Sequence, residues 1–317
     1  MSDLPARVSI NEDGPREGVQ IEPRVIPTAD KVALVDALAE TGLREIQVVS
    51  FVSPRRVPQW ADAEAVVAGL APPPPGLRYT GLYLNERGLE RALATGRLHI
   101  EGGISLCASE TFLQRNQQTS FEGQRQTRRN MAKLLQERGI AIDKGGISAA
   151  FGCNYEGEIP LDRLMERVDE VFALADEFGE RIDTLGLSDT MGWATPLSVK
   201  RAVGAVRERH PDIAVSLHLH DTRGMAMANA FAGLEMGVAD FDTSIGGLGG
   251  CPFAAHKGAA GNLCTEDFAF LCEESGCATG LDLDALIEVS HLAERIVGHP
   301  LPGSLRTGGR LPKSGRA

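Results

Sequence analysis

Two histidines separated by one residue, His218 and His220, stand out as a pair that could do chemistry. They end a short apolar segment that we interpret as a β-strand, and side chains two apart on a strand project from the same face. Two adjacent imidazoles favour a divalent cation. One carboxylate and one carbonyl oxygen would complete a hard, partly hydrated site for Mg²⁺ or Mn²⁺, and Glu17 and Asn262 are the candidates. Zinc is less favoured because the six cysteines form no CxxC pair.

A glycine-rich segment, 246–250, leads directly to Cys251. Backbone N–H groups of such a segment can bind phosphate, but the lysine of a nucleotide-binding P-loop is missing. We therefore interpret the segment as a mobile flap. A thiol at the end of a closing loop can deliver a proton once water is excluded, which makes Cys251 a candidate acid. The alternative is an inert cysteine in a flexible turn.

These residues are far apart in the sequence, so a scaffold must bring them together. Eight apolar segments alternate with helix-sized segments, at Val8–Asn11, Ile46–Val49, Tyr79–Leu84, Leu98–Ser105, Ile140–Phe151, Ile182–Leu187, Ile213–Leu219 and Val238–Ile245. This alternation is typical of parallel strands with crossover helices, and eight such units in about 250 residues predict an α/β TIM (β/α)8 barrel. We interpret the strands as uniformly apolar, with both faces buried. A doubly wound sheet is the competing architecture, and no GxGxxG follows the first strand to support it.

The remaining segments complete the prediction of domain organisation. Two helix-like segments, 266–275 and 283–297, extend the barrel at its C-terminal end. We predict one domain over residues 1–300 and a flexible, basic, glycine-rich tail over 301–317, solvated or binding a ligand phosphate. A long polar loop is predicted over 106–120. The active site of a TIM barrel lies at the C-terminal ends of the strands, and polar residues recur at most of those ends here.

Composition narrows the class of protein. Lys and Arg number 32 against 43 Asp and Glu, for a net charge of -11 over 317 residues. This balance argues against a nucleic-acid binder and against binding to an anionic membrane surface. The N-terminus has no signal-peptide pattern, and no apolar run approaches the roughly 18 residues of a membrane span. We expect a cytoplasmic protein with reduced thiols, and a homodimer or higher homo-oligomer.

The motifs taken together resemble the 3-hydroxy-3-methylglutaryl-CoA lyase family of the DRE-TIM metallolyases. The similarity covers most of the chain and keeps the motif order. The matching segments are GPREGVQ at 14–20, SFVSP at 50–54, ASE at 108–110 with Asn116, GCNYEG at 152–157, SDT at 188–190, HLHDT at 218–222, GLGGCPFA at 247–254, and GNL with TED at 261–267.

The resemblance implies roles for individual residues. It implies metal ligands at Glu17, His218, His220 and Asn262. It further implies that Arg16 stabilises an enolate oxygen, that Cys251 is the acid of the loop, and that His218 is the base for the substrate hydroxyl. Asp189 and Glu266 would be orienting carboxylates. Arg55 and Arg56, with Asn116, are candidates for binding coenzyme A as part of the substrate; a solvated arginine pair is the alternative.

Two positions depart from the family pattern. Glu17 stands where the family has the metal ligand Asp, and Gln47 stands where the family has the Glu that holds the arginine. The second change removes one formal charge near Arg16. The resemblance implies retro-Claisen cleavage of a 3-hydroxy-3-substituted acyl-CoA, such as HMG-CoA, to acetyl-CoA and a keto acid or ketone. The alternatives are a Claisen-type condensing enzyme or pyruvate aldolase on the same barrel, and a metal-binding barrel that has lost activity.

Overall fold

The computed structural model describes residues 4–249 and 261–312, which contain one curled sheet of eight parallel strands with helices around it. The strands are β1 (Ser9–Glu12), β2 (Glu45–Ser50), β3 (Arg78–Leu82), β4 (Gly102–Cys107), β5 (Ile142–Ser148), β8 (Thr184–Asp189), β9 (Ala214–Leu219) and β10 (Asp240–Thr243). A small antiparallel hairpin, β6 (Gly152–Cys153) and β7 (Gly157–Glu158), follows β5. The spatial order β3-β2-β1-β10-β9-β8-β5-β4 confirms the predicted TIM-barrel fold class.

Helices connect successive strands and cover the outside of the sheet. They are α1 (Thr28–Ala39), α2 (Ala63–Gly69), α3 (Glu86–Thr95), α4 (Glu110–Gln117), α5 (Phe121–Glu137), α6 (Leu161–Asp176), α7 (Pro196–Arg209), α8 (Ala226–Glu235), α9 (Thr265–Glu274), α10 (Leu283–Val297) and α11 (Leu305–Gly308). Local sequence sets several of their starts. Thr195 and Ser198 form a capping box at α7, and Asp282 caps α10. Among these helices, none has the length and apolar composition needed to cross a bilayer.

The strands are not uniformly apolar, so that part of the prediction is wrong. In β9, Val215 and Leu217 are buried against the outer helices, whereas Ser216 and His218 alternate with them on the lumen side. Strands β5, β8 and β10 also carry glycine, serine or charged residues between buried apolar ones. Because side chains alternate along a strand, an apolar outer face leaves the inner face free for polar chemistry.

The predicted loop over 106–120 is also wrong in part, because it contains α4. The Ser109 hydroxyl accepts a hydrogen bond from the Phe112 N–H at 3.1 Å and caps this helix. Phe112 and Leu113 are buried in a small apolar cluster beneath it. The polar character of the segment obscured two apolar residues that are enough to dock one short helix.

Residues 301–308, which the sequence analysis assigned to a flexible tail, pack against the barrel. Leu301 and Leu305 are buried, and Arg306 pairs with Glu294 at 2.5 Å. The Gly303 N–H donates to the Gly246 carbonyl at 3.0 Å, so this segment contacts the glycine-rich loop directly. The domain boundary itself stays a prediction.

A buried carboxyl group, that of Glu12, ties the end of β1 to two other segments. Its Oε1 accepts hydrogen bonds from the N–H groups of Gly14 at 2.7 Å and Ile245 at 2.9 Å, and its Oε2 lies 2.5 Å from the Thr265 hydroxyl. Burial raises the pKa of Glu12 to about 8 despite these three contacts. One side chain thus joins β1, the loop after β10, and the start of α9.

The hydroxyl groups beside Glu12 are consistent with a protonated acid. The Thr265 hydroxyl also lies 2.8 Å from Thr243 Oγ1, and the Thr243 hydroxyl donates to the Asn11 carbonyl at 3.2 Å. Thr265 has a single hydrogen to donate. If Thr265 donates it to Thr243, the proton between Glu12 and Thr265 must come from Glu12, and every group in the chain is then satisfied.

We therefore expect Glu12→Gln to be tolerated at neutral pH, because its amide supplies the same acceptor and donor as the protonated acid. The wild-type acid, with a pKa of 4.5 unfolded and about 8 folded, contributes stability that is complete below pH 4.5 and is lost as the pH rises to 8. The free energy of unfolding should therefore fall more steeply between pH 5.5 and 7.5 in the wild type than in Glu12→Gln, by about 2 kcal/mol. Urea unfolding at both pH values measures the difference.

Glu12→Ala is the contrasting variant, and it should lose about 3 kcal/mol or more at both pH values because two buried N–H groups lose their acceptor. A Glu12→Gln protein that is as unstable as Glu12→Ala at pH 5.5 would show that Glu12 is ionised in the folded state.

Candidate active site

The loop after β1 places Arg16 and Glu17 in one tight turn at the rim of the barrel. Residues Gly14–Gly18 form a single π-helical turn in which the N–H groups of Arg16 and Glu17 both donate to the Asp13 carbonyl, at 3.0 and 2.7 Å. A side chain at Gly14 would come within 2.4 Å of Glu12 Oε1 and 2.9 Å of a serine hydroxyl, so glycine is required there. The turn holds two charged side chains with little freedom, and both are buried.

Glu17, His218 and His220 meet within a space that suits one cation. Glu17 Oε1 lies 3.1 Å from His220 Nε2, Glu17 Oε2 lies 3.6 Å from His218 Nε2, and the two Nε2 atoms are 3.3 Å apart. Adjacent ligands of an octahedral Mg²⁺, each at about 2.1 Å, are about 3 Å from one another. The three residues are one of the groups of side chains able to hold a metal ion in the described part of the chain.

Asn262 adds an amide whose polar atoms are available. Its backbone pairs with that of His220, which places the two residues side by side. Among residues 4–249 and 261–312, the buried side-chain atoms Oδ1 and Nδ2 of Asn262 have no hydrogen-bond partner, and neither has His220 Nδ1. Buried polar groups are normally satisfied. A cation bound by Glu17, His218, His220 and the Asn262 oxygen would account for the unpartnered oxygen, so the residues present fit the predicted metal.

His218 is held from its other side by Asp242. Its Nδ1 lies 3.1 Å from Asp242 Oδ2 and 3.6 Å from Asp13 Oδ2. Burial disfavours the charged imidazolium, but the carboxylates of Glu17 and Asp242 outweigh burial and raise the pKa of His218 well above its ordinary value. A carboxylate on Nδ1 also fixes the tautomer that leaves Nε2 facing Glu17 and His220.

Arg16 lies between two carboxylates, and one of them was not anticipated from the sequence. Its NH1 contacts Glu17 Oε2 at 2.7 Å and its NH2 contacts Asp13 Oδ2 at 2.8 Å. Burial raises the pKa of Asp13 to about 7, against the opposing effect of Arg16. Asp13 continues the inward-facing positions 9 and 11 of β1, so the period of two along the strand was the signal that could have identified it.

The other predicted residues lie around this centre in different roles. Asp189 ends β8, where its Oδ1 accepts from the Trp193 N–H at 2.7 Å and its buried Oδ2 has no partner within the described residues. Burial raises the pKa of Asp189 to about 6. Glu266 accepts from the Gly246 N–H at 2.9 Å, so it contacts the glycine-rich loop. Gln47 lies on β2, and its buried Oε1 finds no partner in the residues that the structure describes.

The predicted coenzyme A residues meet above β2. Arg55 and Arg56 are exposed in the loop after that strand, and the Arg56 guanidinium donates to the Asn116 carbonyl of α4 at 2.6 Å. The structure therefore brings Arg56 and Asn116 together, while the binding role stays a prediction. Cys251 lies outside the described residues, and its predicted role as an acid stays a prediction too.

The described part of the glycine-rich loop is packed, which differs from the interpretation of its glycines as freely hinging. Gly246 and Gly247 have positive φ angles of 66° and 69° and are buried. A side chain at Gly246 would meet Leu301 at 2.7 Å, and one at Gly249 would meet the Gly18 backbone at 2.8 Å. At these positions glycine allows close approach of other segments and a left-handed backbone.

A family model and the sequences of known proteins assign the chain to the same family. The HMGL-like family model matches residues 7–293. The chain is 38% identical over 291 residues to the mitochondrial hydroxymethylglutaryl-CoA lyase of Pongo abelii, covering 92% of this chain and 86% of that protein. It is 37% identical over 303 residues to the hydroxymethylglutaryl-CoA lyase YngG of Bacillus subtilis, covering 94% of this chain and 96% of that protein.

Solved structures that are similar to this chain include members of the same family. An HMG-CoA lyase from Acinetobacter baumannii, in complex with coenzyme A and 3-methylmalate, superposes with a TM-score of 0.87 at 35% identity and 98% coverage of both chains. The Bacillus subtilis HMG-CoA lyase gives 0.87 at 36% identity, over 97% of this chain and 99% of that one. The carboxyl transferase domain of Rhizobium etli pyruvate carboxylase, at 17% identity and a TM-score of 0.65, shares the fold.

The ligand geometry predicts one Mn²⁺ site whose affinity rises with pH. Because the pKa of His218 is raised, a cation must displace its proton, and binding strengthens as the pH rises and proton competition weakens. His220→Ala should lower the Mn²⁺ affinity by at least about a hundredfold, and Asp189→Asn by about tenfold if that carboxylate orients His220. Titration of free Mn²⁺ by electron paramagnetic resonance at pH 6.5 and 8.0 measures both effects.

His299→Ala is the matched control, since His299 is an exposed imidazole that contacts Glu22 at 3.0 Å, and it should leave the Mn²⁺ affinity unchanged. Equal affinity in wild type and His220→Ala would exclude the proposed ligand set.

Proposed function

Because the chain belongs to the HMGL-like family and is thus a carbon–carbon lyase, we propose that it cleaves a 3-hydroxy-3-substituted acyl-CoA with the help of a divalent metal ion. The products are acetyl-CoA and a keto acid or ketone. The observation that supports this proposal is the group formed by Glu17, His218 and His220 directly beside the buried guanidinium of Arg16. A cation site and a fixed positive charge next to one another are what a retro-Claisen cleavage requires.

Mg²⁺ or Mn²⁺ is the cation that we propose, held by Glu17, His218, His220 and Asn262. Such an ion supplies Lewis acidity toward the hydroxyl and carboxylate oxygens of the substrate. The carboxylate, imidazole and amide donors suit either ion.

Arg16 is positioned to stabilise the charge that develops when the C2–C3 bond breaks. The electron pair of that bond moves into the thioester, and its carbonyl oxygen becomes an enolate oxygen. Glu17 contacts NH1 and Asp13 contacts NH2, and the buried Nε has no partner in the described part of the chain. The guanidinium therefore keeps donors for the substrate. Donors fixed in advance around developing charge commonly give the largest catalytic effect.

His218 has two roles in the sequence-based prediction, and its geometry favours one. Nδ1 contacts Asp242, so Nε2 is the nitrogen that remains for either metal binding or proton transfer. One nitrogen cannot do both at the same time. We assign it to the cation because its distances to Glu17 and His220 fit a shared ligand set. The hydroxyl proton then passes to the carboxylate of Glu17, which contacts Arg16 and lies beside both imidazoles.

Cys251 would return a proton to C2 of the enolate, and Asp189 and Glu266 would orient the site from two sides. Glu266 acts on the glycine-rich loop through its contact with Gly246. Asp189 lies close enough to His220 for that imidazole to lower its pKa, although burial has the larger effect. Coenzyme A phosphates would meet Arg55 and Arg56 near Asn116.

The test of this function is an acetyl-CoA release assay with Mg²⁺ or Mn²⁺ on a panel of 3-hydroxy acyl-CoA thioesters, including HMG-CoA. We expect metal-dependent release from at least one carboxylated or branched member, and loss of release with a chelator. Incubation of acetyl-CoA with keto acids, and of pyruvate aldol adducts, tests the condensing and aldolase alternatives. Binding of Mn²⁺ without turnover of any substrate would support the inactive barrel instead.

Replacement of the predicted acid should affect proton transfer and leave the metal site intact. Cys251→Ala should lower kcat by about a hundredfold to ten-thousandfold, the range for loss of a general acid, with an unchanged Mn²⁺ affinity. Steady-state kinetics with the substrate found above, together with an Mn²⁺ titration, measures both quantities.

Cys277→Ala is the matched control, because Cys277 is a buried thiol at the opposite, N-terminal end of the barrel, where the neighbouring Ala278 pairs with Arg7. It should keep the wild-type kcat. Undiminished kcat in Cys251→Ala would remove the acid role from this residue.

A further inference from the structure

The guanidinium of Arg16 is held by two carboxylates that differ in their other contacts. Glu17 shares its carboxylate with the metal site, where Oε1 lies 3.1 Å from His220 and Oε2 lies 3.6 Å from His218. Asp13 contacts Arg16 NH2 at 2.8 Å and has only a longer contact of 3.6 Å to His218. When a cation occupies the site, the Glu17 carboxylate contacts both the cation and Arg16. Asp13 is then the carboxylate that serves mainly Arg16.

Positions 13 and 47 lie side by side on the neighbouring chain segments of β1 and β2. Glu12 of β1 pairs in register with Ile46 of β2, so the next positions along the two parallel strands are 13 and 47. Asp13 directly follows the last residue of β1 and opens the turn that contains Arg16, and Gln47 is the third residue of β2. A carboxylate on either strand can therefore reach the same guanidinium.

In this chain the residue at position 47 is neutral and does not hold the arginine. Gln47 Oε1 is buried without a hydrogen-bond partner in the part of the chain that the structure describes. Within the same residues, the contacts of the Arg16 guanidinium are with Asp13 and Glu17. The charge that the Gln47 side chain lacks is thus present on the adjacent strand.

We propose that Asp13 is the positioning residue for Arg16, and that the carboxylate orienting the catalytic guanidinium has moved from β2 to the end of β1 in this chain. This inference rests on the proposed function, in which Arg16 stabilises the enolate oxygen. Asp13 does not touch the substrate. It fixes the plane of the guanidinium so that the free N–H groups point toward the reacting thioester rather than toward Glu17 and the cation.

A positioning role predicts a specific kinetic pattern. Misdirected Arg16 donors weaken binding of the transition state more than binding of the substrate, so Asp13→Asn should lower kcat by at least about thirtyfold while KM changes less than about threefold. The Mn²⁺ affinity should change less than about threefold, because the ligands are untouched. A collapse of the turn would instead reduce metal affinity and kcat together.

The decisive variant is the double substitution Asp13→Asn/Gln47→Glu. This variant lacks the ion pair between Asp13 and Arg16 but carries a new carboxylate at position 47 on the neighbouring strand, from which we expect it to reach Arg16. We expect it to recover at least about a third of the wild-type kcat, whereas Gln47→Glu alone adds a surplus charge and does not raise kcat. Asp284→Asn, which removes an exposed carboxylate paired with Arg310 at 3.0 Å, is the control with unchanged kcat.

Crystal structures of Asp13→Asn and of the double variant provide a readout that does not depend on turnover. Arg16 should leave its position in the first and return in the second. If wild-type protein turns over no substrate, the proposed function fails, and these structures still decide whether Asp13 positions Arg16. An unmoved Arg16 in Asp13→Asn, or a kcat that the double variant does not recover, would overturn the inference.

Discussion

The buried guanidinium of Arg16 lies among the carboxylates at the C-terminal end of the barrel, beside His218, and the geometry of the site depends on it. Asp13, Glu17 and Asp242 all raise the pKa of its guanidinium, against the effect of burial. Buried charges are costly to desolvate, and removing one partner of such a group typically costs about 3–5 kcal/mol. The carboxylates can therefore gather around a metal site because Arg16 offsets their mutual repulsion before any metal arrives.

The register of the parallel strands brings the charged and polar side chains of the site together. Asp242 of β10 lies in register with His218 of β9 and with Asn11 of β1, so three inward-facing side chains come together at one level of the lumen. The Asn11 amide donates to Asp240 at 2.8 Å and to Asp242 at 3.2 Å. Asp242 in turn holds His218. The orientation of a predicted ligand thus depends on a ladder of hydrogen bonds that descends from the site toward the floor of the barrel.

Much of this arrangement could be predicted from the sequence. The alternation of apolar and helix-sized segments was sufficient to predict the eight-stranded barrel. The order of the motifs was sufficient to identify the family. The spacing of His218 and His220 correctly placed both imidazoles on one face, and Glu17 and Asn262 lie beside them. The polar inner faces of the strands were missed because apolar outer residues dominate each segment. Asp13 was given no role because it precedes the GPREGVQ segment; the period of two along β1 indicates that it faces inward, but its contact with Arg16 arises only in the folded turn.

The pair formed by Asp13 and Gln47 shows why motif comparison alone misjudges a site. When single positions are compared with the family pattern, Gln47 replaces a glutamate and one negative charge is lost. In space, the carboxylate beside Arg16 is retained, and what has changed is the side from which it approaches. The consequence falls on the substrate. An amide at position 47 leaves a neutral oxygen that has no partner among the described residues, where a carboxylate would repel a negatively charged acyl substituent. Under the proposed function, a site in which Arg16 keeps its carboxylate partners while position 47 is neutral would suit a changed acyl group with unchanged bond-breaking chemistry.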